Sequence, residues 1–230
     1  MNIAIIPARG GSKRIPRKNI KLFHGRPIIS YSIQAALGCG VFDRVIVSTD
    51  DDEIARVAKA QGAEVPFLRP DSLSQDNTPT APVITHADRY LQENGVTADR
   101  LCCIYATAPF IRAEYLRQGE KTLRSHGVGA VISVTSFAFP IFRALKLDAD
   151  DRMTMFWPEN EMRRSQDLPE AYHDAGQFYW LDAPSFRENE RLYATNMMPV
   201  IIPRYLVQDI DTLEDWLRAE AMYVAVNAAN

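Results

Sequence analysis

The sequence predicts an α/β fold in which a doubly wound, mostly parallel sheet has helices on both faces. Short apolar runs alternate with amphipathic stretches over residues 1–135, the pattern of successive strand–helix units. The first run, residues 3–6, has no polar alternation, as is typical of a strand that is buried on both faces. Of the 230 residues, 47% are hydrophobic and 24% are charged, as in ordinary globular proteins. We therefore predict a single domain over residues 1–230.

The individual elements follow from local patterns. Strands are expected at residues 3–6, 44–49, 64–67, 101–106, 130–134, 177–180 and 200–202. Helices are expected from Pro27 to about Leu37, after Asp50, near residues 80–93 and 113–125, and after Asp211. Asp50 with Glu53, and Asp211 with Glu214, resemble capping boxes. The last helix is expected to present one apolar face that carries Leu213, Trp216, Leu217 and Val224.

Residues 136–164 break this pattern, and we predict that they form an inserted β-hairpin or arm. The segment is rich in aromatic residues and has little helical periodicity; its aromatic residues are Phe137, Phe139, Phe142, Phe156 and Trp157. Aromatic side chains on an extended arm need a covering surface. A second subunit would supply that surface in a homodimer, or the aromatic residues would fold back on their own domain. A monomeric mass at micromolar concentration would exclude the dimer.

Composition and charge exclude several classes of protein. Lys and Arg number 26 and Asp and Glu 29, a net charge of -3, so nothing in the whole chain favours DNA or an anionic membrane surface as a partner. No apolar run reaches the length of a membrane-spanning helix, and no signal peptide is visible. The three cysteines include the neighbours Cys102 and Cys103, which would face opposite sides of a strand and so could not share a metal. We expect a cytoplasmic protein with reduced cysteines.

The segment with the most chemical information is the loop after the first strand. It carries five cations, at Arg9, Lys13, Arg14, Arg17 and Lys18. Ligands of open α/β sheets bind beyond the carboxyl ends of the strands, so the cations should converge on the ligand site. Glycines at positions 10 and 11 would let the backbone approach a ligand, and position 12 adds a serine hydroxyl. The loop lacks the Walker A and dinucleotide-binding spacings. It is either a polyphosphate-binding loop or a flexible, solvated basic loop.

Asp209 and Asp211 form a second candidate site near the C-terminus. In an extended chain, two carboxylates at this spacing lie on one face, roughly 7 Å apart at the backbone. They could bind Mg²⁺ together with phosphate oxygens. Alternatively, Asp211 serves only as a helix cap. Fewer than twenty residues follow Asp211, which excludes a phosphatase of the haloacid dehalogenase type, and the basic loop upstream favours the metal.

Residues 6–20 resemble the signature of the CMP-sugar synthetases, which are cytidylyltransferases that act on acidic 2-keto sugars. The resemblance continues at residues 42–50, 68–70 and 209–211 and spans nearly the whole chain. Residues 105–110 and 164–180 are most similar to those of family members that use pseudaminic acid. The sialic-acid enzymes usually carry Gln-Pro in place of Tyr105-Ala106, glycine in place of Arg14 and asparagine in place of Ala175. The Kdo synthetases carry proline in place of Asn19.

The resemblance implies attack by the anomeric 2-hydroxyl of the sugar on the α-phosphorus of CTP, which expels pyrophosphate. Arg9, Ser12 and Lys13 would contact the triphosphate, and Lys13 would neutralise the leaving pyrophosphate. The implied nucleotide-binding residues are Ala8, Arg9, Gly10, Gly11, Ser12, Lys13, Lys18, Asn19, Arg69 and Thr80. Asp209 and Asp211 would hold Mg²⁺. The implied catalytic residues are Arg9, Lys13 and Asp211, although no side chain stands out as a general base.

The sugar is expected to meet the stretch from Gln166 to Gln177, because its carboxylate and acylamino groups need hydrogen-bonding partners. The candidates are Gln166, Tyr172, His173, Asp174 and Gln177. An alternative for His173 is a neutral histidine that is bonded within a loop. The other three histidines show no ligand spacing.

Two further interpretations remain open at this level. The same reaction could use a sialic, legionaminic or Kdo-type sugar. The chain could instead be a catalytically silent nucleotide-binding partner, although Lys13, Asp209 and Asp211 are all present. A nucleic-acid-binding role lacks a basic face with interleaved aromatic residues.

Overall fold

The computed structural model describes residues 1–194 and 196–228. The strands are β1 Asn2–Pro7, β2 Leu22–Phe23, β3 Arg26–Pro27, β4 Arg44–Ser48, β5 Arg100–Ile104, β6 Ala130–Ser136, β7 Leu145–Leu147, β8 Met153–Met155, β9 Tyr172–Asp182 and β10 Met197–Ile201. The helices are α1 Ile29–Cys39, α2 Asp52–Ala60, α3 Thr80–Glu93, α4 Ala113–His126, α5 Ala183–Asn189 and α6 Leu213–Ala228. Six strands form the central sheet in the order β10-β6-β9-β5-β1-β4.

Helices cover both faces of this sheet, which confirms the predicted doubly wound α/β fold. All neighbouring strands are parallel except β9, which is antiparallel to both β5 and β6. Side chains from α1, α2, α4 and α6 pack on one face, and side chains from α3 and α5 pack on the other. Cys102 and Cys103 are fully buried on opposite faces. Among the described helices, none combines the length and the apolar character needed to cross a membrane.

The predicted third strand at residues 64–67 is wrong. Within the described residues, this stretch contributes one isolated bridge, Ile46 to Glu64, and no named strand; a second bridge, Thr49 to Leu68, lies just beyond it. Pro66 interrupts the stretch, and proline has no amide hydrogen to donate to a ladder. Strand β4 is therefore the last strand at its side of the sheet.

The first helix begins two residues later than predicted, because Pro27 belongs to a tight β2–β3 hairpin. His24 and Gly25 form its turn with φ angles of 45° and 81°, the left-handed region that a two-residue hairpin turn requires. The hairpin buries Phe23, whose ring packs edge-on against Trp216 and Tyr223. The hairpin thus fastens the segment after the basic loop to α6.

Both predicted helix caps are wrong by one residue. The Asp51 carboxylate accepts hydrogen bonds from the amides of Glu53 and Ile54 at 3.0 and 2.9 Å, so Asp51, not Asp50, caps α2. Thr212, not Asp211, caps α6, in a capping box with Asp215. The Thr212 amide donates to the Asp215 carboxylate at 2.7 Å, and the Asp215 amide donates to the Thr212 hydroxyl at 3.2 Å. The side chains of Asp50 and Asp211 are consequently available for the site.

The predicted apolar face of α6 is also wrong. Trp216 is buried, but Leu213 and Leu217 are each 59% exposed and Val224 is 58% exposed. The buried face carries Trp216 and Ala219 instead, with Tyr223 partly buried beside them. Two further features were not predicted. One is the short helix α5, and the other is the start of β9 as early as Tyr172. Gly176, with a left-handed φ of 62°, lies where the pairing of β9 with β6 changes register.

Residues 137–171 leave the sheet between β6 and β9, and they contain the predicted hairpin. Strands β7 and β8 pair antiparallel, with Leu145 opposite Met155. The rings of Phe142 and Phe156 both contact Trp157. The arm carries several exposed apolar side chains in the single chain, and these include Phe137, Phe139, Leu145, Leu147, Met153 and Phe156.

The loop after β1 packs directly against the start of α2. A Cβ atom at Gly10 would lie 2.7 Å from the Asp51 carboxylate and 2.9 Å from the Asp51 Cβ, whereas a Cβ at Gly11 would meet nothing closer than 4.0 Å. Asp51 cannot move aside without losing its cap. The close approach to Asp51 therefore requires glycine at position 10.

We predict that Gly10→Ala lowers the free energy of unfolding by about 1–3 kcal/mol, the usual cost of overpacking. Gly11→Ala is the matched control, and it should leave stability unchanged or raise it by about 0.4–1 kcal/mol through the unfolded state. Urea denaturation of both variants measures the difference. Equal stabilities for the two variants would contradict the packing described here.

Candidate functional site

A cavity of about 340 Å³ opens beside the carboxyl ends of β1 and β5. Four segments form its walls: the loop after β1, the stretch from residue 69 to the first turn of α3, residues 105–107 after β5, and Asp211 before α6. The predicted nucleotide-binding residues that line it are Arg9, Ser12, Lys13, Lys18, Asn19, Arg69 and Thr80. Ala8, Gly10 and Gly11 form the adjoining backbone. Residues far apart in the sequence thus meet in one place, as ligand sites at strand ends do.

Four of the five loop cations face this cavity, and Arg17 does not. Arg17 has a left-handed backbone (φ 56°), and its guanidinium binds the carboxylates of Asp51 and Glu53 at the start of α2. The Arg17 hydrogen bond is the largest influence that lowers the pKa of Asp51, to about 2. Arg17 therefore braces the loop against α2, and the cavity cations of the loop are Arg9, Lys13, Arg14 and Lys18.

Arg69 supplies a fifth cation from a buried position. Its side chain is 3% exposed, and burial lowers its pKa while nearby Asp50 opposes that shift. The Arg69 Nη2 lies 3.7 Å from the Asp50 carboxylate, and Arg69 Nε donates to the Ser74 hydroxyl at 3.2 Å. Asp50 also accepts the Gly10 amide at 3.0 Å. Asp50, which sequence reasoning assigned to a helix cap, in fact joins the basic loop to Arg69.

Asn19 holds the loop from within. Its side chain is buried, and its amide donates to the Arg9 carbonyl at 2.9 Å. The backbone of the loop is further fixed by the Ser12 amide, which donates to the Gly10 carbonyl at 3.0 Å. These two contacts fix the backbone of the loop at residues 9–12.

Asp211, which precedes α6, contacts two cations of the loop after β1. Its carboxylate lies 3.3 Å from Lys18 Nζ and 3.1 Å from Arg14 Nη2. Asp209 retains solvent access, yet partial desolvation raises its pKa first and the Asp211 carboxylate raises it further, while Lys18 opposes both effects. Across residues 1–194 and 196–228, no cluster of three or more His, Cys, Asp or Glu side chains could hold a metal ion.

Asp76 also reaches the cavity, and sequence reasoning missed it. Its carboxylate forms ion pairs with both Arg9 and Lys13. Hydrogen bonds from Lys13 and then Arg9 lower the pKa of Asp76. The two cations that the resemblance assigns to the triphosphate are therefore held by a carboxylate of the same chain.

A row of tyrosines leads away from the cavity. The Thr80 and Tyr105 hydroxyls lie 3.3 Å apart, and the Tyr105 ring is 5.5 Å from the Tyr179 ring. Tyr179 donates to the Asp174 carboxylate, which also accepts from Tyr193 at 2.7 Å. Burial raises the pKa of both Tyr105 and Tyr179, so their hydroxyls remain neutral donors at neutral pH.

The five predicted sugar-binding residues are spread over three places outside this cavity. Tyr172, His173 and Asp174 line a second cleft of about 270 Å³, and Gln166 lines another of about 290 Å³ beneath the arm. Gln177 is 3% exposed and donates to the Leu206 carbonyl at 2.7 Å. His173 Nδ1 lies 2.8 Å from the Asp174 carbonyl, which matches the alternative of a histidine bonded locally.

The chain is similar to known cytidylyltransferases. Residues 3–201 match the family model described as Cytidylyltransferase. A pseudaminic acid cytidylyltransferase from Campylobacter jejuni is 42% identical over 222 residues, which cover 96% of each chain. A CMP-N,N'-diacetyllegionaminic acid synthase from Legionella pneumophila is 29% identical over 221 residues, 96% of this chain and 95% of that protein.

A solved structure shares the fold. The structure of a CMP:2-keto-3-deoxy-manno-octonic acid synthetase complexed with CTP superimposes with a TM-score of 0.72 at 16% identity, and the match covers 97% of this chain and 98% of that one. The family match extends over most of the chain, and the Campylobacter relative aligns along nearly its full length. The chain belongs to the cytidylyltransferase family.

Proposed function

We propose that the chain is a pseudaminic acid cytidylyltransferase, which joins CTP and pseudaminic acid to give CMP-pseudaminic acid and pyrophosphate. One observation carries the proposal: a single cavity is lined by Arg9, Lys13, Arg14, Lys18 and Arg69 together with Asp211. Five cations in one cavity suit a ligand with several negative charges. The 42% identity to an enzyme of that name supports the choice of sugar.

The loop after β1 would bind the triphosphate. Arg9 and Lys13 would pair with phosphate oxygens, and Ser12 would add a hydroxyl donor. The Lys13 side chain is 81% exposed, so it can follow the pyrophosphate as that group leaves. Lys18, Asn19, Arg69 and Thr80 would complete the nucleotide site. Fixed charges at the reacting phosphate stabilise the charge that develops there without costly rearrangement.

The pair Asp209 and Asp211 fits a divalent cation. Thr212 and Asp215 cap α6, so the Asp211 side chain has no capping role. Desolvation raises the pKa of Asp209, and the nearby Asp211 carboxylate raises it further. Two carboxylates with phosphate oxygens and water form the oxygen-rich set that Mg²⁺ prefers. When bound, Mg²⁺ would neutralise phosphate charge and lower the pKa of the attacking hydroxyl.

The sugar would lie next to the nucleotide, toward the cleft that contains Tyr172, His173 and Asp174. Tyr105 supports this placement because it lines the nucleotide cavity and also leads, through Tyr179, to Asp174. An acidic sugar between the two clefts could present its 2-hydroxyl to the α-phosphate. The name of the Legionella relative gives CMP-N,N'-diacetyllegionaminic acid as its product, so N,N'-diacetyllegionaminic acid is the second candidate sugar.

The arm would form a homodimer. Phe139 is 82% exposed near the start of the arm. Leu147 and Met153, which lie on the β7–β8 hairpin, are 61% and 60% exposed. An apolar patch of this kind needs cover in water, and a second copy of the chain supplies an equivalent patch for it to pack against.

A dimeric mass in sedimentation equilibrium at micromolar concentration is expected for the wild-type chain. Leu147→Glu should shift the mass toward the monomer, because it places a charge in the proposed interface. Leu217→Glu, at the exposed face of α6, is the control and should leave the mass unchanged. A monomeric wild-type chain would contradict the dimer.

Pyrophosphate release tests the proposed function directly. Purified protein with Mg²⁺ and CTP should release pyrophosphate when pseudaminic acid is added. Legionaminic, sialic and Kdo sugars are offered in parallel. Release with another sugar alone would replace the proposed substrate, and no release with any of them would contradict the reaction.

Replacement of Asp211 with Asn should reduce the rate of pyrophosphate release by orders of magnitude, because it removes a carboxylate from the proposed metal site. Glu214→Gln removes one negative charge three residues away at the start of α6 and should leave the rate near that of the wild type. An active Asp211→Asn variant would contradict the metal assignment.

A further inference from the structure

Asp76 occupies a position that the proposed function leaves unexplained. Its carboxylate forms ion pairs with Arg9 through one oxygen and with Lys13 through the other. Both cations face the nucleotide cavity, and Asp76 also lines it. The carboxylate therefore sits where a phosphate would have to be placed to use the same two cations.

The segment that carries Asp76 is tethered at its base. The Ser74 hydroxyl accepts from Arg69 Nε at 3.2 Å and donates to the Pro70 carbonyl at 3.1 Å. The Gln75 side chain donates to the Asp71 carbonyl at 2.8 Å. Beyond these contacts, Asp76 is exposed, and its carboxylate pairs with Arg9 and Lys13. The carboxylate can thus leave the cations while Arg69 keeps hold of the base of the segment.

We propose that Asp76 is an internal competitor of the polyphosphate: it pairs with Arg9 and Lys13 in the empty protein, and the incoming nucleotide must displace it. The inference rests on the proposed nucleotide site. The displacement makes affinity depend on phosphate charge, because a ligand without phosphates does not compete for these cations. Asp76 also holds the two like charges together before the ligand arrives.

The expected effect is moderate. Ion pairs with solvent access are each weak, and both pairs made by Asp76 are partly exposed. Loss of the competing carboxylate should therefore tighten polyphosphate binding by about threefold to tenfold.

Asp76→Asn tests this by isothermal titration with three probes: CTP with Mg²⁺, inorganic tripolyphosphate, and cytidine. Asp71→Asn is the matched control, because it removes the same charge from the same segment. Within the part of the chain that the structure describes, the Asp71 side chain forms no ion pair with Arg9 or Lys13. Asp76→Asn should bind CTP and tripolyphosphate more tightly than both the wild type and Asp71→Asn do. Cytidine should not distinguish the three proteins.

Other outcomes separate this inference from the proposed function. Equal polyphosphate affinities in the two variants would overturn it, since long-range charge alone would then explain any gain. Weaker binding by Asp76→Asn would also overturn it, and would make Asp76 a positioning residue for the two cations. If CTP binds none of the proteins while tripolyphosphate still binds Asp76→Asn more tightly, the inference stands and the proposed nucleotide is wrong. If neither probe binds any of them, both fail.

Discussion

The mutual repulsion of the cations around one cavity is the constraint on which the rest of the site depends. Each cation is balanced by a carboxylate from another part of the chain. Asp76 holds Arg9 and Lys13, Asp211 faces Arg14 and Lys18, and Asp50 lies beside Arg69. The cations of the site are thus paired with carboxylates of the same chain. Under the proposal for Asp76, an incoming polyphosphate replaces the carboxylate that pairs with Arg9 and Lys13.

The fold places these charges by ending several elements at the same edge. Strand β1 delivers the basic loop, the residues after β4 deliver Asp50, and the segment before α3 delivers Asp76. Gly10 permits the loop to lie against Asp51, and the Arg17 guanidinium binds the Asp51 carboxylate. The Phe23 hairpin connects the loop to α6, next to the segment that carries Asp211. The same contacts that stabilise the fold therefore orient the site.

Local signals predicted much of this arrangement. The helix at residues 80–93 matches α3, the first strand was identified by its unbroken apolar run, and the basic loop was found because its charges follow directly in sequence. Three adjacent aspartates, Asp50 to Asp52, show the limit of such signals, because capping rules fit more than one of them. The tertiary contacts of Asp50 with Gly10 and Arg69 leave Asp51 as the residue that caps α2. Pairing between distant segments, such as Asp76 with Arg9, leaves no local pattern at all. The antiparallel direction of β9 depends on how distant strands pair, so it also leaves no local pattern. The same is true of the placement of Gln166 and Asp174 in different clefts.

The central claim is that the triphosphate of CTP binds to the loop after β1. A crystal structure of the protein with CTP and Mg²⁺, without sugar, tests it most directly. We expect phosphate oxygens in contact with Arg9, Ser12 and Lys13, and the Asp76 carboxylate moved away from both Arg9 and Lys13. A triphosphate bound elsewhere, with Arg9 and Lys13 still paired to Asp76, would contradict it.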